Sequence, residues 1–220
     1  PLELSPSLVD DIHKRGGTIL SSSRGNQAAP DMVDTLEAMK INLLFCIGGD
    51  GTLRGANAIA DEIAARNAKI SVIGVPKTID NDLRFVEKTF GYETAVSTAS
   101  EIITSAHNEA EGADSGVAIV KLMGRDSGFI AAGATLANSV VDFCLVPENS
   151  FSLDGEGGLF DALEQRLAQK RHAVIVVAEG AGQELFKGVP EQRDASGNVL
   201  KNDIGVFLKD SIEKRFKKAG

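Results

Sequence analysis

The sequence predicts an α/β protein in which mainly parallel sheets are covered by helices. Short apolar runs rich in β-branched residues alternate with longer segments along a chain of 220 residues. The short runs are apolar at consecutive positions, which is typical of parallel strands buried on both faces. The longer segments repeat apolar residues every three or four positions, which indicates helices that pack on a sheet. Alternation of the two patterns is typical of parallel α/β folds.

Five of the short runs are predicted to be strands, and three of the longer segments are predicted to be helices. The strands are residues 41–47, 70–75, 116–122, 141–146 and 173–178. The helices are residues 52–66, residues 92–111 and a C-terminal segment lined by Ile204, Phe207, Leu208, Ile212 and Phe216. The helix that begins near Gly91 is expected to connect two lobes. Ligands are expected beyond the carboxyl ends of the strands, where ligands of parallel sheets bind.

Composition and charge exclude several classes of protein. Apolar residues make up 43% of the chain, which is enough for a hydrophobic core, and no apolar run reaches the roughly 20 residues that span a bilayer. The net charge of −8 argues against nucleic acid as a partner. The N-terminus lacks the pattern of a signal peptide, and Cys46 and Cys144 are interpreted as buried free thiols. These features favour a cytoplasmic protein with small-molecule partners, with no nucleic acid and no membrane among them.

A glycine-rich turn follows the first predicted strand in the segment IGGDGTLRGA (47–56). Gly48, Gly49 and Gly51 allow a tight turn and close approach of a ligand to the backbone. The start of the next helix offers unpaired N–H groups to a phosphate, and Asp50 offers the oxygen ligands that Mg²⁺ prefers. A hairpin or an ordinary loop is the alternative interpretation.

Charged residues follow the second predicted strand in the segment PKTIDND (76–82). Phosphoryl transfer to an alcohol needs a base near the hydroxyl, a metal near the phosphates and cations on the transferred group. Asp80 and Asp82 fit the base and a carboxylate on the metal side, and Lys77 fits a cation on phosphate oxygens. The alternative is an Asx turn with a solvated lysine.

Three more polar segments follow apolar residues. In KLMGRDSG (121–128), Met123 can shape a pocket wall, Gly124 allows close approach and Arg125 can donate paired hydrogen bonds to a phosphate. Arg24 follows the apolar pair Ile19–Leu20, and Glu179 ends the last predicted strand, where it can accept from sugar hydroxyls. Each is also interpretable as an ordinary surface charge. Together, the polar segments predict one site at a shared sheet edge.

Four motifs, in this order, resemble those of 6-phosphofructokinases: GGDGT (48–52), PKTIDND (76–82), MGRDSGF (123–129) and VAEG (177–180). The flanking segments resemble the branch that includes plant and protozoan ATP-dependent enzymes, with bacterial pyrophosphate-using relatives nearby. NAD kinases and diacylglycerol-type lipid kinases also carry GGDGT, but they lack the PKTIDND and MGRDSG pair.

The resemblance implies two Rossmann-like lobes with mainly parallel sheets flanked by helices, which is the phosphofructokinase fold truncated at both ends. Residues 1–90 would form part of the lobe for the donor ATP, and residues 91–220 part of the lobe for fructose 6-phosphate. The implied reaction is phosphorylation of the 1-hydroxyl by ATP and Mg²⁺, which gives fructose 1,6-bisphosphate in glycolysis. The family also implies a homodimer or homotetramer.

The resemblance also implies roles for individual residues. Asp80 is the base that takes the hydroxyl proton, Asp50 holds Mg²⁺, and Arg24 steadies the transferring phosphoryl group. Thr78 and Asp82 support substrate and metal. The residues that contact the sugar phosphate are Met123, Gly124, Arg125 and Glu179. The residues that cradle the donor are Gly48, Gly49, Gly51 and Thr52.

Two positions bear on the choice of phosphoryl donor. Pyrophosphate-specific members usually have aspartate at the position of Gly51, where a carboxylate would crowd and repel an α-phosphate, so Gly51 favours ATP. Lys77, which we count among the catalytic residues, favours pyrophosphate, because pyrophosphate enzymes have lysine there. The plant and protozoan ATP branch combines this glycine with this lysine. ATP is therefore the predicted donor, and pyrophosphate is the alternative.

The chain departs from the family pattern in three places. Gly116 stands where many bacterial members have an arginine that reaches a neighbouring subunit's substrate. Family members begin with a GGxxPGxN-type donor loop and continue beyond this chain with basic residues for the sugar phosphate. The chain is therefore expected to be a fragment. An inactive core that binds phosphates weakly and a non-catalytic doubly wound regulatory domain are the alternatives to a kinase.

Overall fold

A computed structural model describes residues 3–22, 27–186, 188–190, 192–193 and 199–216. The described residues form two parallel sheets of three strands each, in the orders β1-β2-β3 and β4-β6-β5. Helices flank both sheets, so the predicted α/β class is confirmed. The division of the chain into lobes at residues 90 and 91 stays a prediction.

The first sheet and its helices occupy the N-terminal part of the chain. In chain order the elements are α1 (Pro6–Val9), α2 (Ala29–Ala38), β1 (Leu43–Gly48), α3 (Asp50–Ala65), β2 (Ser71–Thr78) and β3 (Phe90–Gly91). Strand β2 is longer than predicted because it continues through Pro76. The proline is tolerated because β3 pairs only with Lys77 and Thr78, which leaves β2 a partner on one side at Pro76.

The second sheet follows a long helix. Its elements are α4 (Tyr92–Gly112), β4 (Gly116–Leu122), α5 (Phe129–Leu136), β5 (Phe143–Leu145), α6 (Leu159–Lys170), β6 (His172–Ala178) and α7 (Ile204–Phe216). The predicted helix at 92–111 is therefore confirmed as α4. No helix in the described ranges is both long enough and apolar enough to cross a membrane.

The core of the second sheet lies around β6, which is the central strand. Residues 173–178 are fully buried, as the apolar run predicted. Val174 and Val176 pack with residues of α4 and α5 on one face, and Ile175 packs with residues of α6 and α7 on the other. A strand covered by helices on both faces is a firm support for the loop that follows it.

The first sheet is covered on one face only. Buried residues of α2 and α3 (Val33, Leu36, Ile59 and Ile63) pack against Leu44 and Val72. On the opposite face, Phe45 is 55% exposed and Ile47 is 54% exposed. The prediction that β1 and β2 are buried on both faces is therefore wrong for the described residues. Cys46 on β1 and Cys144 on β5 of the second sheet are half-buried, whereas the sequence interpretation expected buried thiols.

The strands end level with one another, which determines where the motifs meet. Gly48 at the end of β1 pairs with Pro76 of β2, and Leu122 at the end of β4 pairs with Ala178 at the end of β6. The first three residues of PKTIDND end β2, so Lys77 and Thr78 lie in the strand rather than after it as predicted, and residues 79–82 follow it. The glycine turn, the MGRDSG loop and Glu179 follow the ends of β1, β4 and β6. Ile19 and Leu20 are in a turn, so this apolar pair is not the strand end that the sequence interpretation placed before Arg24.

Candidate active site

The glycine turn after β1 packs against the end of β2. A Cβ on Gly48 would lie 2.2 Å from Thr52 Oγ1, and one on Gly49 would lie 3.4 Å from Thr78 Cβ. Gly48 is therefore required by the close approach of α3. Helix α3 begins at Asp50, and no side chain at the preceding residue caps its N-terminus. Its first N–H groups and the helix dipole suit an anionic ligand.

Asp50 lies in the first turn of α3 and forms an ion pair with Arg54, one helical turn further on. Both side chains are more than half exposed. Within the described residues, no group of three or more His, Cys, Asp and Glu side chains is arranged to hold a metal ion. Mg²⁺ commonly takes one or two carboxylates from a protein and its other ligands from phosphate and water, and Asp50 offers one carboxylate. The sequence interpretation missed Arg54, although its i,i+4 spacing from Asp50 is a signal of pairing.

The segment after β2 is held by hydrogen bonds of Asn81 and Thr89. Asn81 adopts a left-handed backbone with φ of +55°. Its Oδ1 accepts from Thr89 N at 2.8 Å, and its Nδ2 donates to Glu87 O at 3.2 Å. The Thr89 hydroxyl is buried and donates to Thr78 O at 2.7 Å. The two Asn81 contacts reach residues eight and six positions further along the chain. They are therefore not the Asx turn of the alternative interpretation, in which a side-chain oxygen accepts from the N–H two residues on.

Asp80 is half-buried, and its environment favours a proton on its carboxyl group. Burial raises the pKa of Asp80 most, and the like charges of Asp82 and Glu179 raise it further. Arg125 and a hydrogen bond from Thr78 act in the opposite direction and lower this pKa. The net pKa is raised above the ordinary value of an aspartate, which strengthens Asp80 as a proton acceptor.

The loop after β4 is anchored to the end of β6 by Glu179. Glu179 Oε1 accepts from Gly124 N at 3.3 Å and from Arg125 N at 2.9 Å. The two residues have positive φ values of +140° and +50°. A Cβ on Gly180 would lie 1.8 Å from Arg125 O, so the loop and the end of β6 are in close contact. The Glu179 carboxylate thus fixes the backbone that presents the Arg125 guanidinium.

A second carboxylate anchors the far end of the same loop. Gly128 N donates to Glu148 Oε1 at 2.8 Å, just before α5 begins. A carboxylate at this position stabilises the start of a helix. The sequence interpretation missed Glu148, because the local sequence does not show that residue 148 lies beside residue 128.

Most of the predicted site residues fall into two groups, one around the glycine turn and one around Asp80. Gly48 lies beside Thr52, and Gly49 lies beside Thr78. Asp80 interacts with charges on Asp82, Arg125 and Glu179. The predicted residues whose side chains are exposed near this edge are Lys77, Asp82, Met123 and Arg125, and Gly51 is exposed too. Arg24 lies outside the described residues.

This arrangement defines a class: an α/β protein of parallel sheets whose candidate ligand site lies at the carboxyl edge of the strands. The family model described as Phosphofructokinase matches residues 2–219. The chain therefore belongs to the phosphofructokinase family, and the resemblance identified from the motifs is confirmed.

Individual proteins that resemble the chain are consistent with this membership. An ATP-dependent 6-phosphofructokinase of Borreliella burgdorferi is 52% identical, over 98% of this chain and 50% of that protein. ATP-dependent 6-phosphofructokinase 7 of Arabidopsis thaliana is 51% identical, over 99% of this chain and 45% of that protein. The chain thus spans about half the length of the curated relatives it matches.

A solved structure supports the fold. The crystal structure of a pyrophosphate-dependent phosphofructokinase from Marinobacter aquaeolei superposes with a TM-score of 0.72 at 23% identity. The match covers 91% of this chain and 48% of that one. At this identity, the likeness establishes the shared architecture of parallel sheets and flanking helices.

Proposed function

We propose that the chain carries the catalytic core of a 6-phosphofructokinase, which transfers a phosphoryl group from ATP to the 1-hydroxyl of fructose 6-phosphate. The observation that carries the proposal is the half-buried Asp80, with raised pKa, in the field of Arg125. A base and a cation for phosphate, close together at a sheet edge, are what phosphoryl transfer to an alcohol requires. The names of the relatives at 52% and 51% identity point to the same reaction.

In this proposal, Asp80 takes the proton of the sugar 1-hydroxyl as the phosphoryl group is transferred. Arg125 holds the 6-phosphate by paired hydrogen bonds, while Met123, Gly124 and Glu179 shape the sugar subsite. Glu179 Oε1 is occupied by two backbone N–H groups, so Oε2 is the oxygen assigned to sugar hydroxyls. Thr78 and Asp82 support substrate and metal, and Arg24 and Lys77 supply charge to the transferring group.

The donor lies on the glycine turn in this proposal. Gly48, Gly49, Gly51 and Thr52 cradle the phosphates at the start of α3, and Asp50 holds Mg²⁺. A metal held by Asp50 would supply positive charge to the phosphate oxygens. Arg54, which pairs with Asp50, orients this carboxylate at the start of α3. A cytoplasmic homodimer or homotetramer that acts in glycolysis is part of the same proposal.

A fructose 1,6-bisphosphate assay with coupled detection tests the proposed activity. Turnover with ATP and Mg²⁺ at ordinary enzyme concentration supports a kinase. Binding of phosphates without turnover supports the inactive core, and no Mg²⁺-dependent nucleotide binding supports the regulatory domain. Turnover with pyrophosphate in place of ATP supports the alternative donor.

Replacing Gly51 with aspartate is expected to lower kcat/KM for ATP at least about tenfold, because a carboxylate at this position crowds and repels the α-phosphate. Among the described residues, nothing lies within 4 Å of a Cβ at Gly51, so the β-carbon of the new side chain meets no described neighbour. Steady-state kinetics with ATP and with pyrophosphate measure the effect.

The matched control is Gly51→Asn, which has nearly the same size without the charge. A drop shared by both variants assigns the effect to crowding, and a drop in the aspartate variant alone assigns it to repulsion. Unchanged use of ATP by Gly51→Asp would remove the basis for preferring ATP.

Replacing Asp82 with asparagine is expected to shift the acidic limb of the pH–rate profile to lower pH. The Asp82 charge raises the pKa of Asp80, so its removal lowers that pKa. Asp80 must be ionised to accept a proton, and its ionised form then persists to lower pH. The measurement is kcat against pH, with the exposed Asp61→Asn on α3 as the control. If the acidic limb does not shift, the group whose ionisation limits the rate at low pH is not Asp80.

A further inference from the structure

We propose that Ser127 is a positioning residue that holds the backbone of Asp80 from the second sheet. This inference rests on the proposed function, because it assigns to Ser127 a role in aligning the proposed base. Neither the resemblance nor the sequence pattern assigned a role to Ser127, which lies between the MGR segment and α5.

The contact is a hydrogen bond between side chain and backbone. Ser127 Oγ donates to Asp80 O at 3.1 Å, across 47 residues of sequence. Gly124 O is also 3.1 Å from this hydroxyl, but it already accepts from Ser127 N at 2.8 Å. Because Gly124 O already has one donor, we assign the single hydroxyl proton of Ser127 to Asp80 O. Ser127 is only 7% exposed, and buried hydroxyl groups are costly when left unpaired.

The hydrogen bond joins the two sheets at the candidate base. Asp80 follows β2 of the first sheet, where its own N–H donates to Thr78 Oγ1 at 3.2 Å. Ser127 belongs to the loop between β4 and α5 of the second sheet. The Thr78 bond thus ties Asp80 to its own strand, whereas the Ser127 bond ties it to the opposite side of the site.

The loop that carries Ser127 is held at both ends by hydrogen bonds to carboxylates. Glu179 anchors its start through Gly124 N and Arg125 N, and Glu148 anchors its end through Gly128 N. The same loop carries Arg125, whose charge acts on Asp80. A shift of Asp80 relative to this loop therefore changes both the position of the base and its distance from the cation. Proton acceptors lose efficiency when misplaced by as little as about 1 Å.

The test is Ser127→Ala in the intact protein, which removes the donor without adding atoms. We expect kcat for fructose 1,6-bisphosphate formation to fall about 10- to 100-fold, with smaller changes in KM. Ser127→Thr keeps a hydroxyl and is expected to recover part of the rate. Ser105→Ala is the matched control, since the exposed Ser105 hydroxyl bonds only within α4, to Glu101 O at 3.1 Å.

A double-mutant cycle separates positioning from a general structural role. Asp80→Ser keeps the carbonyl that Ser127 holds but removes the carboxylate. In that background Ser127→Ala is expected to have little further effect on the residual rate, because the base is already absent. An equal loss in both backgrounds would overturn the positioning role.

The outcomes also separate this inference from the proposed function. Normal kcat in Ser127→Ala, with a large loss in Asp80→Ser, overturns the inference and leaves the proposed function standing. Near-normal kcat in Asp80→Ser, or no turnover by the unaltered protein, overturns the proposed function and the inference with it.

Discussion

Replacing Asp80 with serine lowers kcat by a factor of about 10²–10⁴ and leaves substrate binding largely intact, if Asp80 is the base. Serine removes the carboxylate that accepts the proton, whereas Arg125 and the glycine turn remain. Burial and like charges raise the pKa of Asp80 and make it a stronger proton acceptor than an exposed carboxylate, so its loss is expected to cost more of the rate. Steady-state kcat and KM for fructose 6-phosphate and ATP measure the effect.

Asp61→Ser serves as the control, because Asp61 is exposed on α3 and interacts with Asn57 of the same helix. It tests whether loss of one surface aspartate changes the rate. Turnover close to normal in Asp80→Ser would remove Asp80 from the role of base, and the mechanism proposed for this site would need another proton acceptor.

Replacing Gly180 with alanine is expected to lower the free energy of unfolding by about 1–3 kcal/mol or more. The added Cβ would lie 1.8 Å from Arg125 O and 3.2 Å from Pro147 Cγ. The closer atom belongs to the main chain and cannot rotate away, so the loop after β4 must move from the end of β6. Phosphate binding through Arg125 is expected to weaken as well, because the same backbone carries the guanidinium.

Thermal or denaturant unfolding measures the change, and Gly55→Ala is its matched control. Gly55 lies inside α3 with nothing within 4 Å of a Cβ, so alanine there is expected to stabilise the protein by about 0.5–1 kcal/mol. If the two variants were equally stable, the loop and β6 would be separated by more than the structure indicates.

Five of the six strands in the described residues could be predicted because each is a short apolar run, whereas β3 (Phe90–Gly91) was missed because it has two residues. The helices α3 and α4 could be predicted because their apolar residues recur at helical spacing. The apolar runs also predicted burial on both faces of β1, which was wrong for the described residues. A run of apolar side chains shows that a strand is suited to burial, but it does not show whether another element covers the face that carries Phe45 and Ile47. The helix α6 was missed even though Leu159, Leu163 and Leu167 recur at helical spacing.

The sequence could predict that polar residues after different strands come together, because the parallel strands of one sheet have their carboxyl ends at one edge. This rule accounts for Arg125 and Glu179, which follow the neighbouring strands β4 and β6 of the second sheet. Asp80 follows β2 of the first sheet, and its interaction with them crosses between the sheets. The rule could not predict the detailed contacts, because Ser127 reaches Asp80 across 47 residues and Glu148 reaches Gly128 across 20. Such pairs depend on how loops fold over one another, and local sequence carries no signal for them.

Arg125 has a consequence for engineering. Its φ of +50° lies in a region that costs a residue other than glycine on the order of 1–3 kcal/mol. Glycine would adopt the same backbone more easily, but it has no guanidinium. A screen for heat tolerance alone and a screen for turnover therefore select different residues at this position, and a variant improved in one property is compromised in the other.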